Sequence, residues 1–300
     1  NLVTSDLTRS IPYSSYSMTF DGAADYIDCG DSSVFSFGNG TDDSPFSVSA
    51  WVYVGDTGVN RIISKVGSGG GEWIFTTGTG SRVPLLTLYS SGATTAGPYQ
   101  IGVGSTTLNS YLDTWVHLAA TYDGGGGATA ANGIKVYFNG VLETMSTLTA
   151  GTYVAMADTA ASLKIGSETG WNVNYYNGNI SNAAIFNSEL SQDQILTIYN
   201  GGVPNSISSL SPVAWWSLAG DSYFDGSNWI CPDLSSNSNN GTSASMGGTV
   251  LVGNGPGSTA NGVATSMDIP ANLKGNAPNS TNNAFSINMT AIDRVTSVPG

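Results

Sequence analysis

Hydrophobic and polar residues alternate with a period of two through most of residues 16–190, in short runs broken by Gly, Asn, Asp and Ser. That period marks strands with one buried face. In FSVSAWVYV (46–54), Phe46, Val48, Ala50, Val52 and Val54 share one face, and Ser47, Ser49, Trp51 and Tyr53 share the other. WVHLAATY (115–122) sets Val116, Leu118, Ala120 and Tyr122 against Trp115, His117, Ala119 and Thr121. RIISKV (61–66), EWIFTT (72–77), PLLTLYS (84–90) and YQIGVG (99–104) continue the series. GIKVYFNGVLE (133–143) predicts a hairpin, because Asn139-Gly140 supplies the positive φ values a tight turn requires. LKIG and NGNISNAAIF read as two further strands. Roughly ten strands at this spacing predict an all-β chain, a sandwich of two antiparallel sheets.

One segment changes period. In SELSQDQILTIYNGG, Ser191 with Gln194 forms a capping box, and Gly201 suits the left-handed position after a helix. The spacing predicts one short helix packed through Ile195, Leu196, Ile198 and Tyr199. After Pro204 the pattern weakens. PVAWWSL is strand-like, and from Gly247 to Gly300 Gly, Asn, Ser, Thr and Ala dominate, a composition that cannot bury a core unaided. The expected organisation is a lead-in (1–15), a sandwich (16–204), an appended segment (205–246) and an extended C-terminal arm (247–300).

Composition narrows the partners. With 21 acidic and 8 basic residues the formal charge is −13, and no basic stripe is present, which excludes nucleic acid and anionic membranes. No apolar run reaches the ~18 residues of a membrane span. Cys29 and Cys231 belong to no CxxC pair, so zinc is not indicated. They form either one long-range disulfide or two buried thiols.

In order along the chain, YSMTFDGAADYIDCG, FSVSAWVYV, WVHLAATYDG, IKVYFNGV, LKIG and YYNGNISNAAIFNSELSQDQILTIYNGG resemble the third-type laminin-G-like domains of the concanavalin A-like lectin/glucanase superfamily. The resemblance covers residues 16–202 and implies a jelly-roll sandwich. It also implies that His117, the one histidine of the chain, is structural. PVAWWSLAGDSYFDGSNWICPDLSSNSNNGT resembles the segment that opens such a domain. It is therefore either a truncated second cassette or a set of strands folded back on the first.

Candidate sites follow. A lone His117 lacks the partner a general base requires. Glycosidases pair two carboxylates on one strand face, commonly as Glu-x-Asp-x-x-Glu, and none of Glu72, Glu143, Glu168 and Glu189 stands in such a stretch. Asp21, Asp25 and Asp28 cluster within eight residues, as hard cations favour, though Asp also terminates turns. The resemblance adds a structural Ca²⁺ between that loop and the strand carrying Asn182, where many relatives are acidic. Glycan binding would use exposed rings on loops: Trp171, Tyr175 and Tyr176 first, with Trp73 and Tyr99 secondary. The glycine runs at 67–71 and 124–127 lack the Lys and helix of a phosphate loop. No organic cofactor is indicated.

The function expected from these features is that of a non-enzymatic lectin-like structural protein on a virion surface, a phage capsid decoration or fibre-associated subunit. It would lace into other subunits through its arm and bind glycans. The alternative is a secreted or cell-surface adhesion module, and a glycoside hydrolase ranks third.

Overall fold

The computed structural model describes residues 15–55, 61–68, 70–78, 82–94, 97–168, 170 and 174–257. The lead-in up to residue 14, Trp171 and the arm beyond residue 257 lie outside the described residues.

Two large antiparallel sheets make the sandwich. The eight-stranded sheet runs β10 (Val141–Leu142), β9 (Ile134–Phe138), β8 (Trp115–Tyr122), β3 (Phe46–Val54), β15 (Asn177–Phe186), β1 (Ser17–Asp21) and β20 (Leu251–Val252). Its eighth strand, β16 (Ala214–Trp216), also pairs with β15. The ten-stranded sheet runs β11 (Ser146–Ala150), β7 (Gly97–Val103), β6 (Pro84–Thr94), β5 (Gly70–Thr77), β4 (Arg61–Gly67), β12 (Leu163–Ile165), β2 (Tyr26–Asp28), β19 (Gly241–Ala244), β18 (Trp229–Cys231) and β17 (Tyr223–Phe224). A small hairpin, β13 (Ser167–Glu168) and β14 (Asn174–Tyr175), stands apart.

The alternation read from the sequence places the core. Val48, Ala50 and Val52 of β3 lie opposite Ala120, Leu118 and Val116 of β8, all buried between the sheets. From the other sheet Ile27, Ile165, Ile63, Phe75 and Leu86 form one transverse row facing them. Next in that row is Gly102, where a Cβ would come within 2.4 Å of Ile134. Only glycine lets β7 approach the opposite sheet so closely.

The second face of β3 and β8 departs from the half-exposed expectation. Ser47, Ser49, Trp51, His117, Ala119 and Thr121 are buried as well. The cover is helix α1 (Gln192–Tyr199) with the segment after it, where Ile195, Ile198 and Ile207 pack on Ala119, Tyr137 and Trp215. Both halves of the expected capping box are formed, Ser191 to the Gln194 amide and Gln194 to the Ser191 amide. Gly201 takes the left-handed backbone expected of it, at φ 63°, directly after Asn200 at φ 45°. One detail differs from the expectation. Leu196 is exposed, because the one-sided contact of the helix runs through Ile195, Ile198 and Tyr199, whose ring stacks on Trp51 at 5.8 Å.

Residues 214–252 contribute strands to both sheets. β16 continues along the flank of β15 where β1 stops, and β17 to β19 extend the ten-stranded sheet beyond β2. Among the described residues no helix is long and apolar enough to cross a membrane.

The disulfide alternative gives way to two buried thiols. Cys29 and Cys231 are neighbours, since a Cβ on Gly241 would lie 3.3 Å from the Cys29 sulfur and 3.6 Å from Cys231 Cβ. Burial pushes Cys231 up to about 12 and Cys29 well above the usual thiol range. At Cys231 this lowers the reactive thiolate about a thousandfold near pH 8. A thiol reagent should therefore leave the native protein unmodified and titrate both cysteines after denaturation. Absence of reactive thiols in the denatured chain would restore the disulfide.

Candidate functional site

The four expected cation ligands are not brought together. Asp21 ends β1 in one sheet, Asp28 sits within β2 of the other, and Asn182 lies five residues along β15 from Asn177, the partner of Asp21. At a strand's rise that is roughly 16 Å away. Asn182 occupies the irregularity in β15 where β1 gives way to β16, with φ 49°, and its side chain serves Ser181 and Trp215. Asp21 Oδ1 accepts from the amides of Ala23, Ala24 and Asp25, and Asp25 Oδ2 accepts from the Asp21 amide, so these carboxylates close a turn. Burial raises Asp25, aided by the charge of Asp21. Burial also acts to raise Asp21, but the amide hydrogen bonds outweigh it and hold the group below its usual range. Among the described residues no three His, Cys, Asp or Glu side chains converge as a metal site. The four residues named do not fit a shared Ca²⁺.

The expected ring platforms also separate. Trp73 is a core residue, its ring tilted 45° to that of Phe46 at 5.3 Å, with its indole N–H donated to the Phe35 carbonyl. Tyr176 is equally buried, edge-on to Phe20, with its hydroxyl donating to the Tyr53 carbonyl. The sequence marks both as exposed platforms, but Trp73 lies on the inward phase of β5, and Tyr176, in the link between β14 and β15, turns its ring into the sandwich. Tyr99 is half-buried on the outer face of the ten-stranded sheet, edge-to-face with Tyr89 at 6.4 Å. Tyr175 is half-buried and close enough to Tyr26 for the two phenols to interact.

The structure instead reveals an open groove of about 780 Å³ at the end of the ten-stranded sheet. Its walls are Asn39 and Gly40, Gly67 and Ser68 at the end of β4, Gly70 and Gly71 at the start of β5, residues 157–162 and Lys164. Glycine and alanine leave backbone amides and carbonyls accessible there, between the side chains of Asn39, Ser68, Asp158 and Ser162.

Beneath the groove lies an ionic cluster that shapes it. Lys65 and Glu72 are fully buried, 3.2 Å apart, and Lys65 also meets Asp31 Oδ1 at 2.7 Å. Lys65 donates to the Ala161 carbonyl at 2.8 Å, while Glu72 Oε1 accepts from the amide and hydroxyl of Thr159 at 2.8 and 2.9 Å. The cluster thus pins residues 159–161 as one wall. Burial pushes Glu72 up, with Lys65 and Thr159 opposing. The sequence carried one signal for it, Lys65 and Glu72 flanking the GSGGG turn, but only pairing of β4 with β5 joins them.

All four glutamates are committed to the fold. Glu72 holds Lys65 and Thr159, and Glu168 meets Arg61 at 2.8 Å. Glu189 meets Lys135 at 2.6 Å, and Glu143 accepts from Ser105 and Thr106.

From the groove a row of side chains crosses the outer face. Lys164, Ser64, Ile74, Thr87, Ile101 and Leu148 are successive register partners toward one edge. Toward the other edge Lys164 lies opposite Asp28, and its ammonium sits 5.6 Å over the Tyr26 ring.

A family model for the third-type laminin G domain, described as the concanavalin A-like lectin/glucanases superfamily, matches residues 21–196. Among solved structures, a candidate carbohydrate-binding protein from Bacteroides ovatus ATCC 8483 is similar at 17% identity and a TM-score of 0.50. The match covers 80% of this chain and 59% of that protein, so the chain spans a little over half its length. The heptameric SAP-like pentraxin of Limulus polyphemus is similar at 13% identity and a TM-score of 0.42, over 63% of this chain and 84% of that one. The receptor-binding domain of botulinum neurotoxin type G gives 15% identity and a TM-score of 0.37, over 53% and 38%. No curated protein sequence matches.

Proposed function

Since this chain belongs to the concanavalin A-like lectin/glucanases superfamily, we propose that it is a non-enzymatic carbohydrate-binding module acting outside the cell or on a virion, with its glycan seated in the groove beside Lys164. The observation that carries this reading is the groove itself: open, floored by a rigid ionic cluster and walled by hydrogen-bonding backbone and small polar side chains. Such walls suit a ligand rich in hydroxyls. A formal charge of −13 selects against anionic glycans and favours neutral ones. Binding without hydrolysis is supported by the glutamates, each of which is held by the fold rather than presented to a ligand. Attachment to other virion subunits belongs to the same reading and rests on the sequence resemblance and the composition of the arm; because Leu251–Val252 pairs with β1 inside the sandwich, that role falls to the part of the arm beyond residue 257.

Ala160 is exposed on the groove wall, so Ala160→Trp should fill the groove and leave the core untouched. On an array of neutral oligosaccharides, wild type should bind a subset without releasing products. Ala160→Trp should lose at least about tenfold in affinity, the loss of roughly 1.4 kcal/mol. Absence of binding to every neutral glycan would sink the reading, and equal binding by the variant would move the site elsewhere.

A further inference from the structure

The row that starts at Lys164 does not stop at Asp28. Thr242 of β19 is the next register partner, then Ile230 of β18, then Tyr223 of β17 at the sheet edge. Thr242 and Tyr223 are exposed, and Asp28 and Ile230 are half-buried. Tyr223 is 55% exposed, and among the described residues its phenol has no ring, hydrogen-bond or ionic partner. Its neighbour Phe224 behaves differently, turning to the opposite face to pack on Trp229 at 5.7 Å. The hairpin is therefore anchored without Tyr223, whose ring contributes little to the fold.

We propose that β17, β18 and β19 extend the glycan surface, with Tyr223 as a stacking platform for the far end of a neutral oligosaccharide whose near end occupies the groove. The inference rests on the glycan reading above and assigns it a second contact. Three observations converge on it. Four strand spacings separate β12 from β17, placing Tyr223 roughly 19 Å from Lys164, too far for one sugar ring to touch both. The intervening positions offer hydrogen-bonding groups at Asp28 and Thr242, which suit the hydroxyls of pyranose rings whose flat face stacks on Tyr223. Lys164 and Asp28 lie directly opposite, so the row carries no net charge and suits a neutral chain.

The test uses the full chain and a series of neutral β-linked glucose and N-acetylglucosamine oligomers, from disaccharide to hexasaccharide, in titration calorimetry. Wild-type affinity should rise with length. Tyr223→Ala should leave the disaccharide unchanged and cost about tenfold at the hexasaccharide, flattening the series. Tyr223→Trp should keep the rise. A hexasaccharide affinity for Tyr223→Ala within twofold of wild type overturns the proposal. If the disaccharide binds and Ala160→Trp removes it, that failure leaves the groove reading standing. If wild type binds none of these oligomers while the array finds other neutral ligands, the extended surface is overturned and the groove reading stands. Absence of all neutral binding overturns both.

Discussion

Replacing Lys65 by Met should lower the unfolding free energy by about 3–5 kcal/mol, the cost of leaving a buried charge without its partner. Lys65 is the cation facing both Glu72 and Asp31, and it also bonds the carbonyl of Ala161. Without it, Glu72 must take up a proton or pull water into the wall. Asp31 can rehydrate, being 42% exposed. The double variant Lys65→Met/Glu72→Met should recover most of the loss, because a buried pair replaced by apolar side chains of similar size is often neutral. Urea unfolding curves with unchanged slope would measure both. A single variant within about 1 kcal/mol of wild type would mean the cluster contributes little to the wall it supports.

The second large effect is on acid stability. His117 is fully buried between the sheet and α1, 5.3 Å from the Trp51 ring and 6.1 Å from Tyr199, and neither ring nitrogen has a partner. Burial brings it down to about 3 from an ordinary 6.5. The folded protein therefore keeps the imidazole neutral, while the unfolded chain takes a proton below pH 6.5. Stability from this site is complete above pH 6.5 and falls by about 1.4 kcal/mol per unit below it, until the folded value near 3 is reached. The loss is about 2 kcal/mol at pH 5 and about 5 kcal/mol at full protonation. Asp25, Asp43 and Glu72 are raised mainly by burial and act in the opposite direction, so the comparison must be made against a variant. His117→Phe should match wild type within about 1 kcal/mol at pH 7.5, since an apolar ring replaces unsatisfied polar atoms. It should exceed wild type by about 2 kcal/mol at pH 5. Parallel pH profiles would show that the imidazole is hydrated after all. Glycan affinity at pH 7.5 should be the same in both.

Much of the fold was legible because a sheet with one buried face imprints its period on the chain. Phe46 to Val54 and Trp115 to Tyr122 alternate cleanly, and their inner residues meet as the alternation predicts. The capping box at Ser191 is equally local, set by two residues three apart. Ring exposure was not legible. Trp73 and Tyr176 sit among glycine and asparagine, as a binding loop would, yet Trp73 takes the inward phase of β5 and Tyr176, linking β14 to β15, is drawn into the core beside Phe20. Tyr223 was overlooked for the converse reason, since YFDGSN looks like a turn until Ile230 and Thr242 align beside it.

The sequence by itself determined the fold class, the core phases of the long strands, the helix and its cap, and the negative charge that turns the molecule away from phosphates. These are local or summed properties, readable without knowing what lies across space. Tertiary structure decided the rest. It set whether the second face of β3 is wet or covered, where residues 214–252 pair, which acids meet Lys65, and that Asp21 and Asn182 stand apart. Each depends on register between segments far apart in the chain, and a shift of one residue would exchange every inward side chain for an outward one.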